Sequence, residues 1–363
     1  MDDLSGIAKH FRPQGSITDI REFGNGNINS TFLVTIANEI ERHFILQRIN
    51  TQVFRRPELV MGNMRIATGH ARRRLASVSE GRRWEVPRVL LAEDGQDHWR
   101  GPDGSFWRAV SFIEGARSFD TIPNNDHARE AGHALGMFHA LLSTLPADRL
   151  ADTLEGFHIT PVYLRHYDEV LAGHKADNSP EVDYCMRFIS ERRDWAHVLE
   201  KAKAEGKLLL RPIHGDPKIN NILMDNITGK AVGMVDLDTI KPGLVHYEIG
   251  DCLRSGCNPL GEETEQWETV RFDTDLCQSI LHGYLSRAKA FLTPKDFYYL
   301  YYSARLIAFE LGLRFFTDYM EGDVYFKVKR PGHNLLRALV QFRLTESIES
   351  QEAAIRSIIE EKR

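Results

Sequence analysis

At 363 residues the chain exceeds the roughly 250–300 residues at which single hydrophobic cores stop growing, so two lobes are expected. Hydrophobic (42%) and charged (27%) fractions are those of a globular protein rather than a disordered one, and a net charge of −5 argues against a general nucleic-acid binder. No run approaches the roughly 20 apolar residues of a membrane-spanning helix, so no membrane partner is expected.

The start, Met1-Asp2-Asp3-Leu4, is acidic and lacks the charged and apolar regions of a signal peptide. Residues 16–22 read as a strand that enters the small-residue loop Phe23-Gly24-Asn25-Gly26-Asn27-Ile28-Asn29-Ser30. The alternating segment 31–36 leaves it as a second strand. Gly24 and Gly26 would let backbone N–H groups approach phosphates with no Cβ in the way, although a Gly/Asn hairpin turn needs no such role. A third strand is expected over 43–48 and a helix over 57–75. Strands over 86–91 and 105–112 complete a five-stranded antiparallel sheet, with Pro87 at a strand start where no ladder donor is lost. The basic run Arg72-Arg73-Arg74, with Arg82 and Arg83, reads either as a phosphate contact or as a solvated helix face.

Ile113-Glu114-Gly115 reads as a hinge whose backbone groups are available to an adenine edge. It divides an N-terminal lobe, residues 1–113, from a C-terminal lobe, 114–363. Beyond residue 125 the period becomes helical. Ala131, Leu135, Phe138 and Leu142 share one stripe, while His133 and His139 lie off it without an assigned role. Further helices are expected over 181–204, 274–288, 294–316 and 346–361. The four cysteines, Cys185, Cys252, Cys257 and Cys277, form no C-x-x-C pair and fit a reducing cytoplasm.

The chemistry concentrates between residues 208 and 238. An apolar run, 208–213, leads into His214-Gly215-Asp216-Pro217-Lys218-Ile219-Asn220-Asn221. Strands over 221–224 and 231–235 flank the turn-rich segment 225–230, which brings Asn221 and Asp236 to the same end of one hairpin. Phosphoryl transfer needs an acceptor hydroxyl held in line with the γ-phosphate and charge placed against the phosphoryl oxygens. Asp216 offers a base, Lys218 a point charge for the γ-phosphate, and Asn221 with Asp236 oxygen ligands for Mg²⁺. His214, two residues before the base, reads as a structural hydrogen-bonding residue rather than a proton carrier.

With these segments in place the chain resembles the aminoglycoside phosphotransferase and choline kinase superfamily, and within it the N-acetylhexosamine 1-kinases. The resemblance rests on residues 24–29, 44–47, 218–225, 236–240 and Met320-Glu321-Gly322-Asp323-Val324-Tyr325-Phe326. It implies an α+β, bilobal protein-kinase-like fold: a small lobe with a five-stranded antiparallel sheet plus one helix, and a larger, mainly α-helical lobe. It also implies ATP- and Mg²⁺-dependent phosphorylation of the anomeric hydroxyl of N-acetylglucosamine or N-acetylgalactosamine by direct in-line transfer. Asp216 would be the base, Lys218 its neighbouring cation, and Asn221 and Asp236 the magnesium ligands. Gly24, Gly26, Asn29, Gln47, Phe112 and Glu114 would contact the nucleotide; Asn27, Asp216, Arg314 and Tyr325 would meet the sugar.

Four positions depart from the usual kinase pattern. Gln47-Arg48 stands where the third strand carries a phosphate-binding lysine, leaving Arg48 or Lys218 to supply the charge. The helix offers Arg65 near its middle rather than an acid. Asn27 replaces the histidine of the sugar kinases, and Asp238 replaces the glycine of Asp-Phe-Gly, as a second metal carboxylate or a capping acid. An amino alcohol, aminoglycoside or homoserine acceptor is the alternative, since Asp318, Glu321 and Asp323 could favour a cation; a nucleotide-binding pseudokinase is the other. A monomer is the default.

Overall fold

The computed structural model describes residues 3–12, 16–24, 28–37, 41–76, 81–173 and 179–362. A short helix α1 (Leu4–Lys9) precedes β1 (Ser16–Glu22), β2 (Ser30–Ala37) and β3 (His43–Ile49). Helix α2 (Pro57–Ala76) then intervenes before β4 (Val89–Leu90), β5 (Trp99–Arg100) and β6 (Phe106–Ser111). Among the described residues these strands make one antiparallel sheet in the order β1-β2-β3-β6-β4, with β5 pairing the other end of β6. The sheet therefore has six strands rather than the five expected, two of them only two residues long. The strand expected over 86–91 contracts because Pro87 has no N–H to donate; pairing begins at Arg88, whose carbonyl accepts from Ser111 N at 2.8 Å.

Period-two alternation divides the sheet's faces. Phe44 and Leu46 join Val34, Ile36, Trp107 and Ile7 of α1 in an outer core, while Gln47 and Arg108 lie on the face toward α2. Helix α1 makes a second small-lobe helix; a single turn and a half is too short to carry a periodic signal.

The large lobe begins with β7 (Ala116–Arg117) and α3 (Asn125–Leu142), followed by α4 (Thr160–Gly173), α5 (Pro180–Arg192) and α6 (Val198–Ala204). Then come the short strands β8 (Arg211–Ile213), β9 (Ile222–Asp225), β10 (Ala231–Met234) and β11 (Lys241–Gly243). Helices α7 (Val245–Gly256), α8 (Thr274–Ala288), α9 (Pro294–Met320), α10 (His333–Ser350) and α11 (Glu352–Lys362) close the chain. Strand β9 pairs β10 on one side and β7 on the other, tying the hinge to the catalytic segment, and β8 pairs β11.

Local chemistry fixes several helix starts. Asn124 caps α3, Ser179 caps α5 with Pro180 next to it, and Thr293 with Asp296 makes a reciprocal capping box before Pro294 of α9. Helices α3 and α8 cross with their backbones in contact. A Cβ on Gly132 would lie 1.9 Å from the carbonyl oxygen of Ile280, so only glycine permits that approach.

Two helical expectations and one strand are corrected. The segment 181–204 is broken by a 3₁₀ turn, Asp194–His197, that seats Trp195 against Phe309 and Arg305 of α9; tertiary packing overrides the continuous propensity. The segment 346–361 divides at Gln351, whose side chain donates to the carbonyl of Phe272. Most of the strand expected from 208 is absent, leaving Leu209 and Leu210 exposed. Helices α4, α7 and the first half of α10 are not among the expected elements, although Val245, Ile249, Cys252 and Leu253 of α7 recur at helical spacing. His246, Glu248, Asp251 and Arg254 of α7 are all buried.

Candidate active site

Strand β8 delivers the chain into the loop His214-Gly215-Asp216-Pro217-Lys218, a 3₁₀ turn Ile219–Asn221 closes it, and β9 departs. Met234 pairs Ile222 at the end of the β9/β10 ladder, and Val235 N donates to Asn221 O at 2.9 Å, so Asn221 and Asp236 flank that end as the hairpin reading requires. Lys218 Nζ donates to Asp216 Oδ2 at 2.6 Å. Asn221 Nδ2 donates to the Asp216 carbonyl at 2.7 Å and to Oδ2 at 3.2 Å. Asp216, Lys218 and Asn221 therefore form one cluster, in which Asn221 engages Asp216 through its Nδ2 and not through its Oδ1.

Burial acts to raise the Asp216 carboxyl, but the Lys218 ammonium and its hydrogen bond outweigh it and hold the group below the ordinary carboxylate range. Asp236 behaves in the opposite way. Desolvation by the surrounding protein, then the charges of Asp238 and Asp216, push it up to about 7. It also adopts a left-handed backbone, φ 62°, uncommon for a residue other than glycine. Crowded carboxylates beside a carboxamide oxygen suit a divalent cation, which would relieve their repulsion. No group of three His, Cys, Asp or Glu poised to ligate a metal occurs among the described residues. Such a donor set fits Mg²⁺, which keeps waters and phosphate oxygens in its shell, better than an all-protein cage.

A second layer fixes the loop. The buried carboxylate of Glu248 on α7 accepts from the backbone N–H groups of His214 (2.6 Å) and Gly215 (2.8 Å), with His139 Nε2 at 3.3 Å. The carbonyl of Gly215 accepts from His158 Nε2 at 3.0 Å; His158 Nδ1 faces Glu310 of α9 at 2.9 Å, and Thr160 donates to the same carboxylate. Gly215 itself has φ +90°, and a Cβ there would lie 2.4 Å from the carbonyl oxygen of Thr239. His214 is structural, as expected: its Nε2 faces the Val235 carbonyl at 2.9 Å, and burial lowers its pKa. His139 does have a partner on this layer, which corrects its idle reading. Sequence reasoning missed Glu248, Glu310 and His158. The available signal was an acid set among apolar neighbours, Glu248 beside Ile249 and Cys252, and Glu310 between Phe309 and Leu313.

On the small-lobe side Gly24 adopts φ +77°, while Gly26 and Asn27 lie outside the described residues. Asn29 Nδ2 donates to Asp238 Oδ2 at 2.5 Å, and its Oδ1 accepts from Asn50 N. Gln47 donates to Thr31 and accepts from Arg108. Arg48 does not supply the missing cation: it projects from the other face of β3 and pairs with Asp103 at 3.3 Å. Lys218 is engaged with Asp216, and the cation beside Gln47 is Arg108, which ion-pairs with Asp238. Asp238 is thus neither a helix cap nor a free carboxylate.

Phe112 and Glu114 line a cavity of about 560 Å³ with His43, Trp84 and Glu85. The hinge is less open than expected, because the carbonyl of Glu114 already accepts from Arg83 and that of Gly115 from Asn226 N.

Arg314 lies one turn beyond Glu310 on α9. Its guanidinium sits 4.9 Å from the ring centre of Tyr163, 5.4 Å from those of Phe157 and Phe326, and 6.0 Å from Tyr325. No hydrogen bond or ion pair from the described residues engages it. The acids expected to attract a cationic acceptor are committed elsewhere. Asp318 accepts from the backbone N–H groups of Val324, Tyr325 and Phe326 and from Asn334, Asp323 accepts from Asn334, and Glu321 faces His166.

Solved structures share this architecture. A microcompartment-associated aminopropanol kinase is 17% identical, with 97% of this chain and 98% of that one covered and a TM-score of 0.64. An aminoglycoside phosphotransferase from Alicyclobacillus acidocaldarius is 15% identical over 98% and 96%, TM-score 0.61. Choline kinase from Cryptosporidium parvum is 14% identical over 94% and 91%, TM-score 0.59. At such identities the likeness establishes the bilobal fold, and no helix among the described residues is long and apolar enough to cross a membrane. The sequence itself goes further: residues 19–274, a span that holds the glycine loop, the hinge and the whole cluster around Asp216, match the phosphotransferase enzyme family, and the chain belongs to that family.

Proposed function

We propose that this small-molecule phosphotransferase is an ATP- and Mg²⁺-dependent kinase of an N-acetylhexosamine, acting on the anomeric hydroxyl by direct in-line transfer. The observation that carries the acceptor assignment is Arg314, a cation with unengaged donors inside an aromatic box. A guanidinium repels the ammonium of an amino alcohol or aminoglycoside and suits hydroxyls and an acetamide carbonyl. The faces of Tyr163 and Tyr325 suit the apolar C–H surface of a pyranose. The commitment of Asp318, Glu321 and Asp323 to their own loop supports the same reading, since it leaves them without the task of binding a cation.

In this reading Asp216, ionised at neutral pH, orients the acceptor hydroxyl and takes its proton as the new O–P bond forms and the bond from the γ-phosphorus to the bridging oxygen breaks, that oxygen leaving on ADP. Lys218 neutralises Asp216 in the resting site and offers the γ-phosphate a charge once the acceptor's hydroxyl engages the carboxylate. Asn221 and Asp236 hold Mg²⁺, which supplies charge neutralisation for the phosphates. Gly24 and Gly26 belong to the loop over the phosphates, and Phe112 and Glu114 to the base end of the nucleotide. The protein acts in the cytoplasm, a reading supported by its four buried, unbridged thiols.

The test is ADP release with Mg-ATP across N-acetylglucosamine, N-acetylgalactosamine, galactose, choline, homoserine and kanamycin, with products identified by ³¹P NMR. A sugar 1-phosphate is expected. Arg314→Met should raise the acceptor KM about 10–100-fold, the loss of one to two hydrogen bonds from a charged donor, and leave the ATP KM unchanged. Turnover with an amine acceptor alone would overturn the sugar assignment.

A further inference from the structure

Gln47 and Arg108 are direct cross-strand partners in β3 and β6, so their side chains reach the same space from adjacent strands. Arg108 Nε and Nη2 both donate to Gln47 Oε1, at 2.9 and 2.6 Å, which fixes the guanidinium plane. Its Nη1 faces the sulfurs of Met61 and Met64 on α2, at 4.0 and 3.9 Å, so the helix meets it with thioethers and not with an acid. The neutralising carboxylate comes instead from Asp238. Both members of the ion pair are buried, with Arg108 1% and Asp238 2% exposed.

Asp238 occupies the 3₁₀ turn Leu237–Thr239 that follows Asp236, so the pair clamps the metal loop to the sheet. The other oxygen of Asp238 accepts from Asn29, at the end of the glycine loop, and Asn29 is itself held by Asn50 N. One buried carboxylate thereby ties three pieces that must agree in position when nucleotide and metal bind: glycine loop, sheet and metal loop.

We propose that Arg108 and Asp238 are positioning residues that replace the strand-lysine and helix-acid pair, with the cation moved one strand over and the acid moved into the metal loop. Their task is to hold Asp236 and Asn29 in register for metal-bound nucleotide. This rests on the metal placement at Asn221 and Asp236 given above.

A buried ion pair that loses one partner leaves an uncompensated charge, whereas removal of both is often neutral for folding. The deciding protein is therefore the double variant Arg108→Met/Asp238→Asn, measured by thermal melting and by calorimetric titration with AMP-PNP in Mg²⁺ and in EDTA. The expected result is a parental melting midpoint, an unchanged affinity in EDTA, and an affinity in Mg²⁺ weakened about 10-fold or more, the range for second-layer metal partners. Placing Gln47→Lys on Arg108→Met, with Asp238 intact, should restore the Mg²⁺-dependent affinity by returning the cation to β3.

A double variant that keeps the parental Mg²⁺ enhancement overturns the proposal. One that fails to fold also overturns it, by assigning the pair to the core. In the same titration Asp236→Asn should abolish the Mg²⁺ enhancement; its retention there would refute the metal placement itself, an outcome distinct from failure of the Arg108–Asp238 pair.

Discussion

The catalytic hairpin and the small-lobe sheet carry their charged groups in different ways. From the loop after β8 to the turn after β10, Asp216, Lys218, Asn221 and Asp236 all fall in one contiguous segment, and the loop's own turns bring Asp216, Lys218 and Asn221 together. On the sheet the corresponding cation is reached only through strand pairing, because Gln47 and Arg108 are 61 residues apart. Groups held by a loop are fixed by spacing along the chain, whereas a sheet lets a side chain be supplied by any strand that borders the same space. The first arrangement resists relocation and the second tolerates it.

The strongest way to break the comparison is at the loop. Asp216→Asn should lower turnover by roughly 10²–10⁴-fold, the usual contribution of a positioned general base, while nucleotide affinity measured by calorimetry stays near the parent. Near-parental turnover would show that the loop does not hold the base.

A smaller effect should come from Glu248→Gln. Its amide nitrogen would face one of the two N–H groups that the carboxylate now accepts, orphaning a buried donor at about 1–3 kcal/mol in thermal or denaturant unfolding. The rate should fall with the ATP KM unchanged. If neither stability nor rate moves, the loop is self-supporting and owes nothing to α7.

The smallest effect concerns His158. Burial acts to lower its pKa, but the Glu310 carboxylate prevails and raises it, so the folded protein binds this proton more tightly than the unfolded chain. That contribution is complete below the unfolded value near 6.5 and is lost as pH rises through the folded value. The melting advantage of the parent over His158→Gln should therefore be greatest near pH 6 and shrink above neutrality. An advantage that grows with pH would reverse the assignment.

Legibility in the sequence follows the same division. The hairpin, with Asn221 and Asp236 at one end, and the long regular elements β1, β2, β3, α2, α8 and α9 are legible because each is written in contiguous residues with one period. Arg108 could not, since in isolation it is an ordinary basic residue between Trp107 and Ala109, and only register against Gln47 gives it meaning. Glu248 and Glu310 escaped for a related reason. Each is a buried acid on a helix that also carries apolar residues at helical spacing, such as Val245, Ile249 and Leu253 of α7, and only the folded loop it holds gives the acid a role. Resemblance alone implies Arg314 and Tyr325 as sugar contacts; that they are neighbours is a property of the loop that Asp318 folds back.

That loop has a further consequence. Asp318 secures it through the main-chain N–H groups of Val324, Tyr325 and Phe326, contacts that do not depend on which side chains those positions bear. Val324 and Tyr325 are meanwhile 72% and 54% exposed, Tyr325 with one face of its ring toward the box. Scaffold and lettering are thus separable at the mouth of the acceptor box. Substitution at 324 or 325 by any residue with a main-chain N–H leaves the Asp318 contacts of this segment available, so its side chains and its backbone anchorage are set by different residues.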